Sequence, residues 1–179
     1  MTRRPTPGDQ IYHASDLRLC LLLVGFVSTA ASAHLQAALT SQSSADQVNK
    51  HLLAALSHLD PIETPQLTLR LCTEIIEQVR LGGELDVDEL EKLVRQLDLA
   101  LVGFVVDPDP LRAGITACLA GYVRLILGVD AFEANAAEAN FAIAASYLRS
   151  TDNYPWKTFN STLRHEGIEH LGVIPLIPV

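Results

Sequence analysis

The chain has 179 residues, of which 49% are apolar and 19% charged, and its formal net charge is −8. This length suits one domain with a real core, and two full domains are not expected. The composition excludes a disordered chain, and it excludes a nucleic-acid binder because lysine and arginine are not clustered. Residues 42–110 hold thirteen acids and five bases, so the acidity is concentrated there, as suits cytosolic solubility or a basic protein partner.

The N-terminal region offers two interpretations. Residues 1–13 are polar and predict a flexible arm. The stretch from Leu17 to His34 resembles an export signal, because an apolar run precedes an A-x-A pattern. However, Asp9 and Asp16 offset the arginines before the run, and Gly25 is one of several residues that interrupt it, so it is too short for a membrane span of roughly 20 apolar residues. We therefore predict the buried core helix of a cytosolic protein, with no membrane association.

Two helices are predicted next. Ser44-x-x-Gln47 has the form of a capping box, and the helix that it opens is stopped by Asp60-Pro61. Thr64-Pro65 starts the following helix with a cap and a proline at its first position, and Gly82-Gly83 ends it. The predicted buried stripes of the first three helices include Ala31, Leu35, Leu52, Ala55, Leu56, Leu71 and Ile75.

The fourth and fifth helices flank a proline-rich break. Asp86-x-x-Glu89 is a second capping box, and it opens a helix that continues through the apolar segment 99–106. That segment could be misread as a strand, but its phase continues that of the preceding helix. Asp107-Pro108-Asp109-Pro110 interrupts the chain and caps the next helix, which Gly128 ends.

The remaining elements are a long helix, a short helix and a tail. Asp130-x-x-Glu133 opens an alanine-rich helix, whose small side chains permit close packing between helices. A short helix is predicted from Trp156 to about His165, stopping at Gly167. The apolar tail, residues 173–179, contains two prolines that forbid a regular helix.

These elements predict an all-α, single-domain bundle of about seven helices with an extended, proline-containing C-terminal tail. The boundaries are an arm over 1–13, a helical domain over 14–172 and the tail over 173–179. Short connections make sequential helices largely antiparallel. The three cysteines are odd in number and each lies among apolar residues, which predicts buried, reduced thiols: Cys20, Cys72 and Cys118.

Two segments carry a family resemblance. The segment 163–173 resembles the end of the YjaG-like family, bacterial helical proteins of unknown function, and Ile115–Cys118 resembles an Ala-Cys helix of that family. The family's G-I-S-N-I-G-I pattern is matched at Gly167, Ile168, Gly172 and Val173. Glu169 and His170 replace its Ser-Asn pair, which puts any role of that pair in doubt. The resemblance implies an all-helical cytosolic domain and no particular activity.

The histidines invite a metal hypothesis, which their spacing does not support. A zinc-binding H-E-x-x-H helix places its imidazoles at i and i+4, whereas His165 and His170 are five residues apart and Gly167 lies between them. His51 and His58 share a helix face but lack a third strong ligand. Phosphate-loop, dinucleotide and nucleophile-elbow motifs are also absent. We therefore predict no catalytic residues, no cofactor and no metal.

An acidic cluster surrounds the fourth helix start, and it includes Glu84, Asp88 and Glu91. A calcium loop would need a third ligand and a glycine that the pattern lacks. A solvated helix start explains the carboxylates, because they favour the helix dipole. A basic partner docking on them is the alternative.

Three functions remain open. The first is a non-enzymatic protein-interaction or regulatory module, and the second is a ligand- or metal-binding protein or enzyme with a pocket between helices near Tyr122, Tyr147 and Trp156. The third is homodimerisation through the alanine-rich helix or the tail. The predicted partner surface for the first comprises Trp156, Arg164, Glu84, Asp88, Glu91, Ile174 and Leu176.

Overall fold

The computed structural model describes residues 28–40, 45–128, 131–168 and 174–178. These ranges contain seven helices and no strand, which confirms the predicted all-α bundle. The helices are α1 (Thr29–Thr40), α2 (Ala45–Leu56), α3 (Pro65–Arg80), α4 (Val87–Val106), α5 (Pro110–Leu127), α6 (Ala131–Arg149) and α7 (Tyr154–Glu166).

The chain forms two compact units. The first comprises Met1–Asp60 with Arg70–Leu85, and the second comprises Pro61–Leu69 with Asp86–Val179, so that α3 begins in the second unit and continues in the first. The prediction that residues 14–172 form one domain means that they fold as one unit, and it stays a prediction.

Local capping signals set several helix starts where the sequence predicts them. At the start of α4, the Asp86 side chain accepts a hydrogen bond from the Glu89 N–H at 2.8 Å, and the Glu89 side chain accepts one from the Asp86 N–H at 3.0 Å. Asp109 accepts from the Arg112 N–H at 3.0 Å, and Pro110 begins α5. Each cap satisfies a backbone donor that has no partner within its helix.

Glycine ends helices where the backbone turns left-handed. Gly82 has φ +106° and follows α3, and Gly167 has φ +75° and follows α7. Only glycine adopts this conformation without steric cost. The predicted end of α7 at Gly167 is therefore confirmed, and the continuous helix through 99–106 is confirmed in α4.

In the first unit, α1 packs against α2. The predicted buried stripe of the first helix is confirmed at the two positions that lie on α1, since Ala31 and Leu35 are fully buried. The predicted helical residues before Ser28, with Cys20, lie outside the described residues, as do the predicted caps at Ser44 and Asp130. The α2 stripe is also buried, at Leu52, Ala55 and Leu56, but α2 ends at Leu56, before the predicted stop at Asp60-Pro61, so His58 lies in the turn after the helix.

In the second unit, α5 is the central helix, with α4 and α6 packed against it. Glycines permit a close approach to α6: a Cβ added at Gly121 would lie 2.5 Å from the ring of Phe141, and one at Gly114 would lie 2.7 Å from Leu148. In the described part of the chain, α5 alone is long and apolar enough to cross a membrane, but 67% of it is buried. That burial is what the core helix of a soluble protein shows.

A polar network joins α4, α5 and α6 in this unit. The Arg124 guanidinium on α5 donates to Asp98 on α4 at 2.7 and 3.3 Å, and to the Asn140 side-chain oxygen on α6 at 3.1 Å. Glu133 lies 3.6 Å away. Because the Arg124 side chain is only 16% exposed, these contacts offset the cost of placing its charge between helices.

The tail packs on the second unit. Ile174 is buried, the Trp156 indole N–H donates to the Leu176 carbonyl at 3.1 Å, and Arg112 donates to the Pro178 carbonyl at 3.4 Å. Residues 174–178 form neither helix nor strand, and the prolines at 175 and 178 prevent helix formation. The tail therefore docks on the core of its own chain.

Candidate functional site

The predicted partner surface does not form one patch. Trp156 is fully buried and Ile174 is 7% exposed, so neither can line a surface, and their assignment to one is corrected. The reason is that they bury apolar area against the chain's own core, where Trp156 also meets Phe159 edge-on at 5.3 Å. Leu176 is 71% exposed.

The acidic residues are exposed but belong to different units. Asp88 and Glu91 lie on α4 in the second unit. Glu84 lies in the first unit, where its backbone N–H donates to the Asp46 carboxylate at 3.1 Å. Of the three acids, only Asp88 and Glu91 therefore lie on one element of one unit.

Three valines are exposed on the same helix as these two acids. Val102, Val105 and Val106 are 46%, 54% and 74% exposed. They lie three and four residues apart, which places them on one side of α4. In the sequence, the segment 99–106 is apolar on all sides of the helix, so its pattern does not distinguish these three valines.

One exposed helix surface joins the acids and the valines. The steps from Asp88 through Glu91 and Arg95 to Val102 and Val106 are three, four, seven and four residues, so these side chains project in similar directions. We call the surface formed by these five residues and Val105 the α4 outer face. It is acidic at its N-terminal end and apolar at its C-terminal end, about 27 Å away at 1.5 Å per residue.

Arg164 lies in an open pocket of about 300 Å³ between α6 and α7. Its polar lining is Arg149, Lys157, Asn160, Ser161, Arg164 and His165, over a floor of Ala145 and Leu148. This pocket is not the one predicted near Tyr122, Tyr147 and Trp156, since none of these three residues lines it, and that pocket stays a prediction. Lys157 precedes Arg164 by seven residues on α7, a spacing that is visible in the sequence and places both on one face, whereas Arg149 comes from α6.

Three histidines gather in the first unit. The ring of His34 on α1 stacks on His58 at 5.6 Å between centroids, and it lies 6.1 Å from the ring of His51. The sequence paired His51 with His58, and the fold brings His34 to them from another helix. Among the described residues, no group of three histidine, cysteine or carboxylate side chains is arranged to hold a metal ion.

The two described cysteines are unsuited to nucleophilic chemistry. Cys72 and Cys118 are fully buried and unpaired by disulfides, which confirms the prediction for these two. Burial raises the pKa of both thiols because the thiolate loses its hydration. The thiolate is the reactive form, so both side chains act as small core residues.

No family model, curated protein or solved structure matches the chain. The resemblance of 163–173 to the YjaG-like family thus rests on the sequence pattern alone, and residues 169–173 lie outside the described part. It stays a prediction.

Proposed function

We propose that this chain is a non-enzymatic protein-interaction module that binds a basic, amphipathic segment of a partner protein along the α4 outer face. The observation that carries the proposal is the exposure of Val102, Val105 and Val106 on one side of a single helix. Exposed apolar side chains that lie together on one face, and not scattered singly, are a feature of interaction sites.

Local structure does not explain the valines. Valine has a lower helix propensity than alanine, leucine or the long polar residues, so an exposed helix end gains nothing from three of them. The neighbouring backbone is packed tightly, since a Cβ at Gly103 would lie 2.6 Å from the Ile62 carbonyl oxygen. The valines nevertheless stay open to solvent, and covering them with a partner would recover their transfer free energy.

The charge of the α4 outer face supports a basic partner. Asp88 and Glu91 are exposed, and neither forms an ion pair with another described residue. The fitting occupant carries apolar side chains opposite the valines and lysine or arginine opposite the two acids. Arg95, between the two ends, opposes a uniformly basic segment and would set its register.

The exposed acids and the buried thiols also support a cytosolic localisation for this module. The chain's acidic balance keeps it soluble there and steers basic partners towards it. Reduced, unpaired cysteines are typical of that compartment.

Affinity capture with matched variants tests the proposal. Purified wild-type protein is compared with Val102→Asn/Val106→Asn and with the control Ile143→Asn, which alters an exposed apolar residue on α6. Each protein is immobilised and exposed to a cell lysate. We expect one lysate protein to bind the wild type and the Ile143→Asn control, and not to bind Val102→Asn/Val106→Asn. A synthetic peptide of its basic, apolar segment should then bind the wild type, and Asp88→Asn/Glu91→Gln should weaken that binding.

The same samples can overturn the proposal. It is wrong if the double variant retains the same proteins as the wild type, or if the wild type retains none above background. It is also wrong if light scattering shows a wild-type dimer that Val102→Asn/Val106→Asn converts to a monomer, because the occupant would then be a second copy of the chain.

A further inference from the structure

The pocket between α6 and α7 has an unusual charge for this protein. The whole chain has thirteen lysines and arginines against twenty-one acids. Three of those thirteen, Arg149, Lys157 and Arg164, line this one pocket, and no carboxylate is among its lining residues. A site that gathers cations within an acidic protein attracts anions locally.

Two of the three cations are available to a ligand. Arg149 and Lys157 form no ion pair with a described residue. The Lys157 ammonium donates to the Arg149 carbonyl at 3.4 Å and lies 5.3 Å from the centroid of the Tyr154 ring. These neutral contacts orient the ammonium without neutralising it.

The third cation is partly occupied. Arg164 donates through Nε and Nη2 to one carboxylate oxygen of Glu138, with the Nε contact at 2.8 Å. A guanidinium has five N–H donors, so the contact leaves others for a ligand. Glu138 also fixes the direction of the guanidinium, which lowers the entropy lost on binding.

The walls of the pocket are held together by a buried hydrogen bond. Asn160 on α7 is 4% exposed, and its amide N–H donates to the Phe141 carbonyl on α6 at 3.1 Å. Lys157, Ser161 and Arg164 follow one another on α7 at steps of four and three residues, so they face the same side. The Asn160 side-chain oxygen is buried and has no hydrogen-bond partner among the described residues, so Asn160 holds the wall and does not contact the ligand.

We propose that this pocket binds a small phosphomonoester. A phosphate group has three terminal oxygens and carries close to two negative charges at pH 7, so it can accept from Arg149, Lys157 and Arg164 together, and from the Ser161 hydroxyl. A single carboxylate would be satisfied by one guanidinium. The volume of about 300 Å³ leaves room beside the phosphate for a short organic group over Ala145 and Leu148.

This site is independent of the α4 outer face. It is built from α6 and α7, whereas the proposed protein partner binds α4. The two proposals can therefore fail separately, since the pocket variants leave α4 unchanged.

Isothermal titration calorimetry of the full chain with glycerol 3-phosphate tests the proposal. We expect binding with a Kd below about 1 mM at 0.15 M NaCl, weakening as the salt concentration rises because the contacts are ionic. Glycerol and acetate should give no measurable binding, and inorganic phosphate should bind more weakly than the ester.

Variants locate the binding. Lys157→Gln and Arg149→Gln should each weaken binding by about tenfold or more, since each removes one charged donor. Lys92→Gln, an exposed cation on α4, is the matched control and should bind within twofold of wild type. Thermal unfolding of each variant establishes that the fold is kept.

Three results would overturn the assignment. The first is no heat from glycerol 3-phosphate beyond that of glycerol. The second is wild-type affinity in a folded Lys157→Gln/Arg149→Gln protein. The third is a phosphoserine peptide that binds more than tenfold tighter than the free ester, because the pocket would then recognise a protein segment.

Discussion

Replacing Gly121 by alanine tests how closely α5 and α6 pack. The added Cβ would lie 2.5, 2.9 and 3.0 Å from three carbons of the Phe141 ring. Carbon atoms rest at about 3.5–4.0 Å, so the ring must move by about 1 Å. Phe141 is only 2% exposed, which leaves little room for that movement.

The net effect combines two opposing contributions. Overpacking of a tight core costs about 1–3 kcal/mol, and exchanging glycine for alanine inside a helix returns about 1 kcal/mol. With three contacts at or below 3.0 Å, we expect Gly121→Ala to lower the free energy of unfolding by about 1–2 kcal/mol. The melting temperature should fall by about 2–8 °C, at about 2–4 °C per kcal/mol for a chain of this size.

Urea unfolding followed by circular dichroism measures this change. The exposed Ala142→Gly on α6 calibrates the propensity contribution, which should be about 1 kcal/mol in the destabilising direction. Phe141→Leu makes room for the new methyl group, so Gly121→Ala/Phe141→Leu should be at least about 0.5 kcal/mol more stable than the sum of the single effects predicts. Equal or greater stability of Gly121→Ala, or strict additivity in the double variant, would refute the packing argument.

Three further predictions concern the core, the polar network and the thiols. Trp156→Phe should lower the free energy of unfolding by about 1–3 kcal/mol and increase deuterium exchange at 174–178, because the hydrogen bond to the Leu176 carbonyl is lost. Unchanged exchange at 174–178 would contradict the docking of the tail. Arg124→Ala should lower the free energy of unfolding, measured in urea, by about 1–3 kcal/mol. Arg124→Lys should recover only part of that stability, because lysine lacks the planar guanidinium that reaches Asp98 through two nitrogens. Full recovery by lysine would be inconsistent with this geometry. Cys72 and Cys118 should resist labelling by iodoacetamide at pH 8 until urea unfolds the chain, because burial raises the pKa of both thiols and blocks access. Peptide mass mapping measures the labelling. Rapid labelling of either cysteine in the native protein would show that the core opens.

The candidate sites depended on tertiary structure more than the helices did. Arg164 was singled out from the sequence and Lys157 shares its helix face, but Arg149 joins them from α6. His34 on α1 likewise reaches His58, which lies in the turn after α2. Sequence spacing reports which residues share a face of one helix, and it contains no distance between faces of different helices.

Trp156 shows the opposite failure. An aromatic residue beside prolines near the C-terminus suggested an interface anchor, yet its indole is buried and bonded to the tail. The same chemistry that favours tryptophan in interfaces favours it in cores, namely a large apolar surface with one donor. Only the path of the tail decides between the two.

By itself, the sequence determined that the described chain is all-helical and where several of its helices begin and end. Capping residues such as Asp86 and Asp109, and terminal glycines such as Gly167, act through bonds to backbone groups a few residues away, so their effect is legible along the chain. The tertiary structure alone decided which faces stay open. The valines of the α4 outer face are indistinguishable from core valines until α5 is seen to occupy the other side, and the cations of the α6–α7 pocket become a site only when two helices bring them together.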